Sequence, residues 1–249
     1  MSKADKPPRR SPGKGKGAPA EEDSAPLQLT NATGQGVLEL SATTVARYRR
    51  WHTRLAREQP FPARLGLTSA LSGEGVTEAA FGLAAVLASD LVESFCLVEL
   101  DWWQPGLTTQ GQLEPTRALA QVLTGETPLD EALHPTSLPN LSLLPAGEIP
   151  LERRALLVRS PALPTTLNDL ASRFDHLIIA LPPLLTVGDA ATLAQQAGDL
   201  CLIIRQGVTP LPVVRQALDE IAHLPVRGVV MNGDQLALPR WLLRLIPGG

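Results

Sequence analysis

The apolar positions of this chain follow two kinds of pattern. Val45, Tyr48, Trp51, His52 and Leu55 recur at helical spacing with arginines between them, which predicts an amphipathic helix from about residue 41. Pro60 and Pro62 mark its end. Beyond them, short runs that are apolar throughout alternate with helical stretches. Strands are predicted over Arg64–Ala70, Phe95–Leu100, Leu141–Leu144, His176–Leu181, Leu200–Arg205 and Val226–Met231. Helices are predicted over Thr77–Ser89, Thr116–Leu123, Leu129–Leu133, Leu163–Arg173, Asp189–Ala197 and Leu211–His223. Strands without a polar face need cover on both sides. The alternation therefore predicts an α/β domain: a doubly wound, mainly parallel sheet with helices on both faces.

Residues 1–35 lack this patterning. They are rich in Pro, Gly and charge and are predicted to be a disordered tail ahead of one folded domain, 36–249. The first 19 residues carry six basic side chains against Asp5, and Glu21, Glu22 and Asp23 follow. That tail reads as a solubilising extension or as a weak tether to anionic lipid or an acidic partner. At the other end, Trp241, Leu242, Leu245 and Ile246 form a short amphipathic stretch. It is expected to pack on the body, with membrane or partner contact as the alternative.

Composition narrows the function classes. With 44% hydrophobic and 19% charged residues the chain can build a sizeable core, which excludes a wholly disordered protein. No apolar run approaches the ~20 residues of a membrane span, and the basic N-terminus lacks the apolar segment of a secretory signal. A net charge of −3 argues against wholesale nucleic-acid binding. Cys96 and Cys201 sit in apolar runs and read as buried free thiols of a reducing compartment. His52, His134, His176 and His223 show no metal-ligand spacing, so no metal site is expected. All four lysines, Lys3, Lys6, Lys14 and Lys16, lie in the first 16 residues. Chemistry that needs a lysine inside the folded domain is therefore excluded.

The segment from Leu67 to Ala80 has the layout strand, glycine-rich turn, helix. Gly73 and Gly75 would let backbone N–H groups approach an anion, and the helix start would add its positive dipole end. A working phosphate loop also needs a lysine on the phosphates and a Ser or Thr on Mg²⁺. Thr77 is present, but Val76 stands at the lysine position. On the loop alone, a degraded nucleotide site and an ordinary strand–helix turn both stay open.

More of the chain bears on that choice. Thr68-Ser-Ala-Leu-Ser-Gly-Glu-Gly-Val-Thr77, Leu97-Val-Glu-Leu-Asp-Trp-Trp-Gln-Pro-Gly-Leu107, Val122-Leu-Thr-Gly-Glu126, Leu141-Ser-Leu-Leu-Pro-Ala-Gly147 and Phe174-Asp-His-Leu-Ile-Ile-Ala-Leu-Pro-Pro183 occur in that order, with Gly228-Val-Val-Met-Asn232 after them. This series resembles the bacterial tyrosine kinases of capsule and exopolysaccharide export (BY-kinases), within the MinD/ParA-like P-loop ATPases, over roughly residues 41–235. The resemblance implies a P-loop fold, ATP and Mg²⁺ as cofactors, a cytoplasmic location, and a membrane-anchored chain-length protein as partner.

The family's catalytic positions are mostly changed. Val76 replaces the phosphate-binding lysine and Ala180 replaces the aspartate of the second acidic strand. Glu99 stands for the first aspartate of the preceding acidic motif, Asp101 keeps the second, and Trp103 and Gln104 replace its basic pair. Phosphoryl transfer rests on positioning and charge neutralisation, which an isopropyl and a methyl group cannot supply. With Glu74, Glu78 and Asp101 nearby, the former phosphate pocket is expected to be acidic and to bind ATP and Mg²⁺ weakly at most. The tyrosine-rich C-terminal tail of autophosphorylating members is missing, Tyr48 being the only tyrosine. Of the family's ring-forming Glu-x-x-Arg-x-x-Arg pattern, Ala46, Arg49 and His52 keep only the middle charge.

The resulting expectation is a degenerate nucleotide site made of Gly73, Glu74, Gly75, Val76, Thr77, Glu99, Asp101, Ala180 and Asn232, with no catalytic residue. Trp102 and Trp103, together with Arg49 and Trp51, are the expected partner surface. The chain then reads as a non-catalytic scaffold or regulator in exopolysaccharide assembly, peripheral to the inner membrane through a protein partner. A weakly active tyrosine kinase or ATPase, and a MinD/ParA-like positioning protein, are the alternatives.

Overall fold

The computed structural model describes residues 24–57 and 59–233. The basic stretch 1–23 and the Trp241–Ile246 segment lie outside the described residues.

The first element among the described residues is an antiparallel hairpin, β1 (Leu27–Thr30) and β2 (Gly36–Leu40). This corrects the expected tail of residues 1–35, because order already begins within it. Leu29 is fully buried, the Thr30 N–H donates to the Ser137 hydroxyl at 3.1 Å, and the Thr30 carbonyl accepts the Ser137 N–H at 2.9 Å. Helix α1 (Ala42–Leu55) follows, capped by the Ser41 hydroxyl on the Thr44 N–H. Then come β3 (Arg64–Ser69), α2 (Val76–Asp90), β4 (Phe95–Glu99) and two short helices, α3 (Leu107–Gln110) and α4 (Leu119–Leu123). The middle of the chain holds α5 (Leu129–Ala132), β5 (His134–Pro135), β6 (Leu141–Leu144), α6 (Leu151–Val158) and α7 (Ala162–Arg173). The last described elements are β7 (His176–Ala180), α8 (Ala190–Ala194), β8 (Asp199–Arg205), α9 (Leu211–Glu220) and β9 (Val226–Asn232).

Seven strands form one sheet in the order β5-β6-β4-β7-β3-β8-β9, and every pairing is parallel except β5 with β6. The doubly wound expectation holds. β3 lies inside, between β7 and β8, and β9 is an edge among the described residues. The apolar runs are explained by cover on both faces. One face packs on α2 and α1 through Leu65, Leu67, Phe81 and Ile178. The other packs on α4, α7, α8 and α9 through Val98, Leu123, Leu167, Ile179 and Leu193. α2 is buried nearly all round, which its Ala- and Gly-rich sequence permits. A Cβ at Gly82 would overlap the Tyr48 ring, so α1 rides on α2 through an aromatic in a glycine notch. Among the described residues no helix is long and apolar enough to cross a membrane.

Candidate functional site

The loop after β3 keeps the backbone of a phosphate cradle. Gly73 and Gly75 have φ of 79° and 86°, a left-handed conformation that costs other residues strain, and α2 starts directly afterwards at Val76. The Pro182-Pro183 turn holds the loop from the side. Thr68 donates its hydroxyl to the Pro182 carbonyl at 2.8 Å, and the Leu184 N–H donates to Ser69 at 2.8 Å. A Cβ at Gly75 would meet the Asn232 amide, which donates to the Glu74 carbonyl at 3.0 Å. Asn232, at the end of β9, therefore braces the loop.

The acidic side chains are engaged elsewhere. The Glu74 carboxylate turns back into the protein: it accepts the Leu71 N–H at 2.9 Å and the Thr209 hydroxyl. One backbone donor of the cradle is thus satisfied by the loop itself. Glu99 has no exposed surface. Its Oε1 accepts the N–H groups of Gly106 at 2.7 Å and Leu107 at 3.0 Å, and its Oε2 accepts Ala146 N–H at 3.2 Å. The Thr77 hydroxyl reaches the same Oε1 at 3.5 Å. Burial pushes the Glu99 carboxyl above the usual range, with the three backbone donors pulling the other way. Asp101 is raised for the same first reason, and its Oδ1 accepts from Trp103 and Gln104 N–H, an Asx turn. Ala180 sits level with Glu99 across the β4–β7 pairing and is buried in the core.

The structure thus gathers Gly73, Glu74, Gly75, Val76, Thr77, Glu99, Ala180 and Asn232 at the C-terminal end of the sheet, where α/β folds bind ligands. Asp101 stands beside them in its own turn. These residues do not fit a Mg²⁺-bound triphosphate. The lysine position holds an isopropyl group, one metal-side position holds a methyl, and the remaining carboxylates are used by backbone N–H groups. Among the described residues no cluster of His, Cys, Asp or Glu could hold a metal ion.

The expected partner surface is redrawn. Trp102 is 1% exposed and donates its indole N–H to the Ala146 carbonyl at 2.9 Å, so it is core and not surface. Trp103 is half-buried under the Arg154 guanidinium, 5.9 Å from its ring centroid. Arg49 makes two 2.7 Å bonds to Asp90 and one of 3.0 Å to Ser24, an intrachain clamp. Trp51 is half-buried on α1. Sequence reasoning missed Thr209 and the braces at Gly106 and Ala146, because nothing local marks a loop whose acceptor lies far along the chain. Cys96 and Cys201 are buried free thiols, as expected.

No protein-family model matches the chain. Tyrosine-protein kinase YwqD of Bacillus subtilis is 30% identical over 173 residues, which cover 69% of this chain and 72% of YwqD. Succinoglycan biosynthesis transport protein ExoP of Rhizobium meliloti is 29% identical over 172 residues, 68% of this chain but only 22% of ExoP. The chain therefore spans about a fifth of the length of some relatives and most of others. The crystal structure of the VpsO kinase domain superposes with a TM-score of 0.71 at 26% identity, over 78% of this chain and 95% of that domain. The glycine loop, the parallel sheet and the colinear match to a whole kinase domain agree: the chain belongs to the bacterial tyrosine-kinase (BY-kinase) family.

Proposed function

We propose that this chain is a non-catalytic member of its family, a scaffold or regulator that acts by binding a protein of exopolysaccharide assembly or export. The observation that carries the reading is the use of Glu99. Its carboxylate latches the 106–107 and 146 segments together, in place of facing a metal ion beside Val76 and Ala180. A site that has turned its acid inward and lost its cation keeps the loop as architecture. The link to polysaccharide export comes from relatives such as ExoP, and the partner on this reading is a membrane-anchored chain-length protein or an active kinase of the same family. Cofactor binding is at most weak: ATP with Mg²⁺ is expected to bind with a Kd above ~1 mM, since the charge-assisted contacts to phosphate are gone. Calorimetry with millimolar Mg·ATP, alongside a radiolabel transfer assay, tests this. A micromolar Kd or measurable phosphotransfer would overturn it.

A further inference from the structure

A cavity of about 790 Å³ opens between α1 and β9, beside the glycine loop. Its charge is one-sided. Arg47, Arg50 and Arg54 line it from α1, at a spacing that puts them on one helix face, and Arg205 joins them from the end of β8. All four are exposed, and among the described residues none is in an ion pair. Arg227, also in the wall, is paired with Asp199. The opposing acids are Glu74, already held by Thr209 and Leu71 N–H, and Glu78.

Among the described residues the floor of the cavity is an open sheet edge. β9 pairs only with β8 among the described residues. The Asn232 carbonyl accepts the Gln206 N–H at 2.8 Å, so by strand alternation Val229 and Met231 turn their own N–H and C=O groups outward. The side chains alternate too. Val230 packs on the α1–α2 face, whereas Val229 and Met231, on the other face, are 42% and 66% exposed. A strand laid along this edge would meet arginines on one face and apolar side chains on the other.

We propose that this groove docks an extended acidic segment of a partner protein, which adds to β9 as a further strand. Its main chain would bond Val229 and Met231, its carboxylates would pair with Arg47, Arg50 and Arg54, and its intervening apolar side chains would cover Val229 and Met231. Guanidinium groups suit this, being weakly hydrated and able to bind carboxylate in two-pronged fashion. The inference rests on the reading that the chain works by binding, and it names where and to what chemistry.

The test uses the full chain and a fluorescein-labelled peptide of alternating Glu and Val. Fluorescence anisotropy should report saturable binding that weakens steeply between low and high salt. Reversal of Arg47, Arg50 and Arg54 to Glu should weaken it at least about tenfold. Met231→Pro removes an outward N–H and leaves the β8 ladder intact, and it should weaken binding about fivefold or more. In hydrogen exchange, the Val229 and Met231 amides should exchange fast in the free chain and slow down with peptide. Equal binding of a Gln–Val peptide, or wild-type affinity in the Arg-reversed chain, would overturn the proposal. So would Val229 and Met231 amides already protected without peptide, which would mean that the chain itself or a second copy covers the edge. Failure of these arms with ATP still ignored removes only the docking site, whereas ATP turnover removes the reading beneath it.

Discussion

Replacing Glu99 with alanine tests whether the carboxylate is a latch. The change strands three backbone donors that have no other acceptor, Gly106, Leu107 and Ala146 N–H, around a side chain with no solvent exposure; Leu107 and Ala146 are buried and Gly106 is half-buried. An orphaned buried donor costs about 1–3 kcal/mol, so three set an upper range of ~3–9 kcal/mol. Removing a buried carboxylate returns part of this, as does relaxation of the loops, and a net loss of about 3 kcal/mol is expected. For a domain of this size that lowers Tm by about 6–12 °C. Glu99→Gln should fall between: the amide oxygen can keep the Gly106 and Leu107 bonds, but its NH₂ then confronts the Ala146 N–H. The pH dependence separates latch from mere bulk. Burial holds the folded carboxyl above its unfolded value, so folding favours the protonated form. Wild-type stability should therefore fall as pH rises from the ordinary carboxylate range through the raised folded value, and the Gln variant should lack that component. Thermal unfolding by circular dichroism across pH decides it. A Glu99→Ala loss under about 1 kcal/mol would refute the latch.

Val76→Lys alone should leave Mg·ATP binding undetectable by calorimetry at millimolar nucleotide, because Ala180 and the engaged Glu99 still offer the metal nothing. Trp102→Ala should cost about 3–5 kcal/mol by chemical denaturation, as for other large core truncations, while Trp103→Ala should cost far less. Gly82→Ala should destabilise by about 1–3 kcal/mol, since the added methyl meets the Tyr48 ring, and Tyr48→Ala should relieve the penalty in a double-mutant cycle. The Cys201 thiol is pushed up to about 12 by burial, and Cys96 is raised further for the same reason. Neither should react with iodoacetamide at mildly alkaline pH until the chain unfolds, as mass spectrometry would show.

The strands were legible because burial on both faces leaves an unbroken apolar run, as in Leu177–Leu181 and Leu200–Ile203. The amphipathic helix α1 was legible for the complementary reason. The elements that escaped are those whose stability is not local. β1 has four residues in a polar neighbourhood and holds only because Leu29 reaches the core and Thr30 meets Ser137. α6 escaped because Leu151 and Leu156 point outward, leaving Leu157 and Val158 as its buried pair and no helical stripe to detect. At the site, the substitutions Val76 and Ala180 could be read directly. Which of two adjacent tryptophans turns inward could not, since that depends on the Asp101 turn and on a carbonyl 44 residues away. A strand-end glutamate likewise looks the same whether it faces a metal or binds backbone.

The interior place of β3 also governs how the chain comes to be folded. Its pairing partners are Ile178 and Asp199, opposite Leu65, more than a hundred residues downstream. At roughly 5–20 residues per second of synthesis, β3 and α2 wait several seconds or more for their neighbours. During that wait Leu65, Leu67 and the apolar surface of α2, all buried in the finished protein, have only one another and α1 to pack on. This non-local topology makes slow folding and dependence on chaperones the expectation in the cell. It also bears on dissection of the protein: a fragment ending before residue 176 leaves β3 with neither neighbour, so no such N-terminal piece would hold the glycine loop in the shape described above.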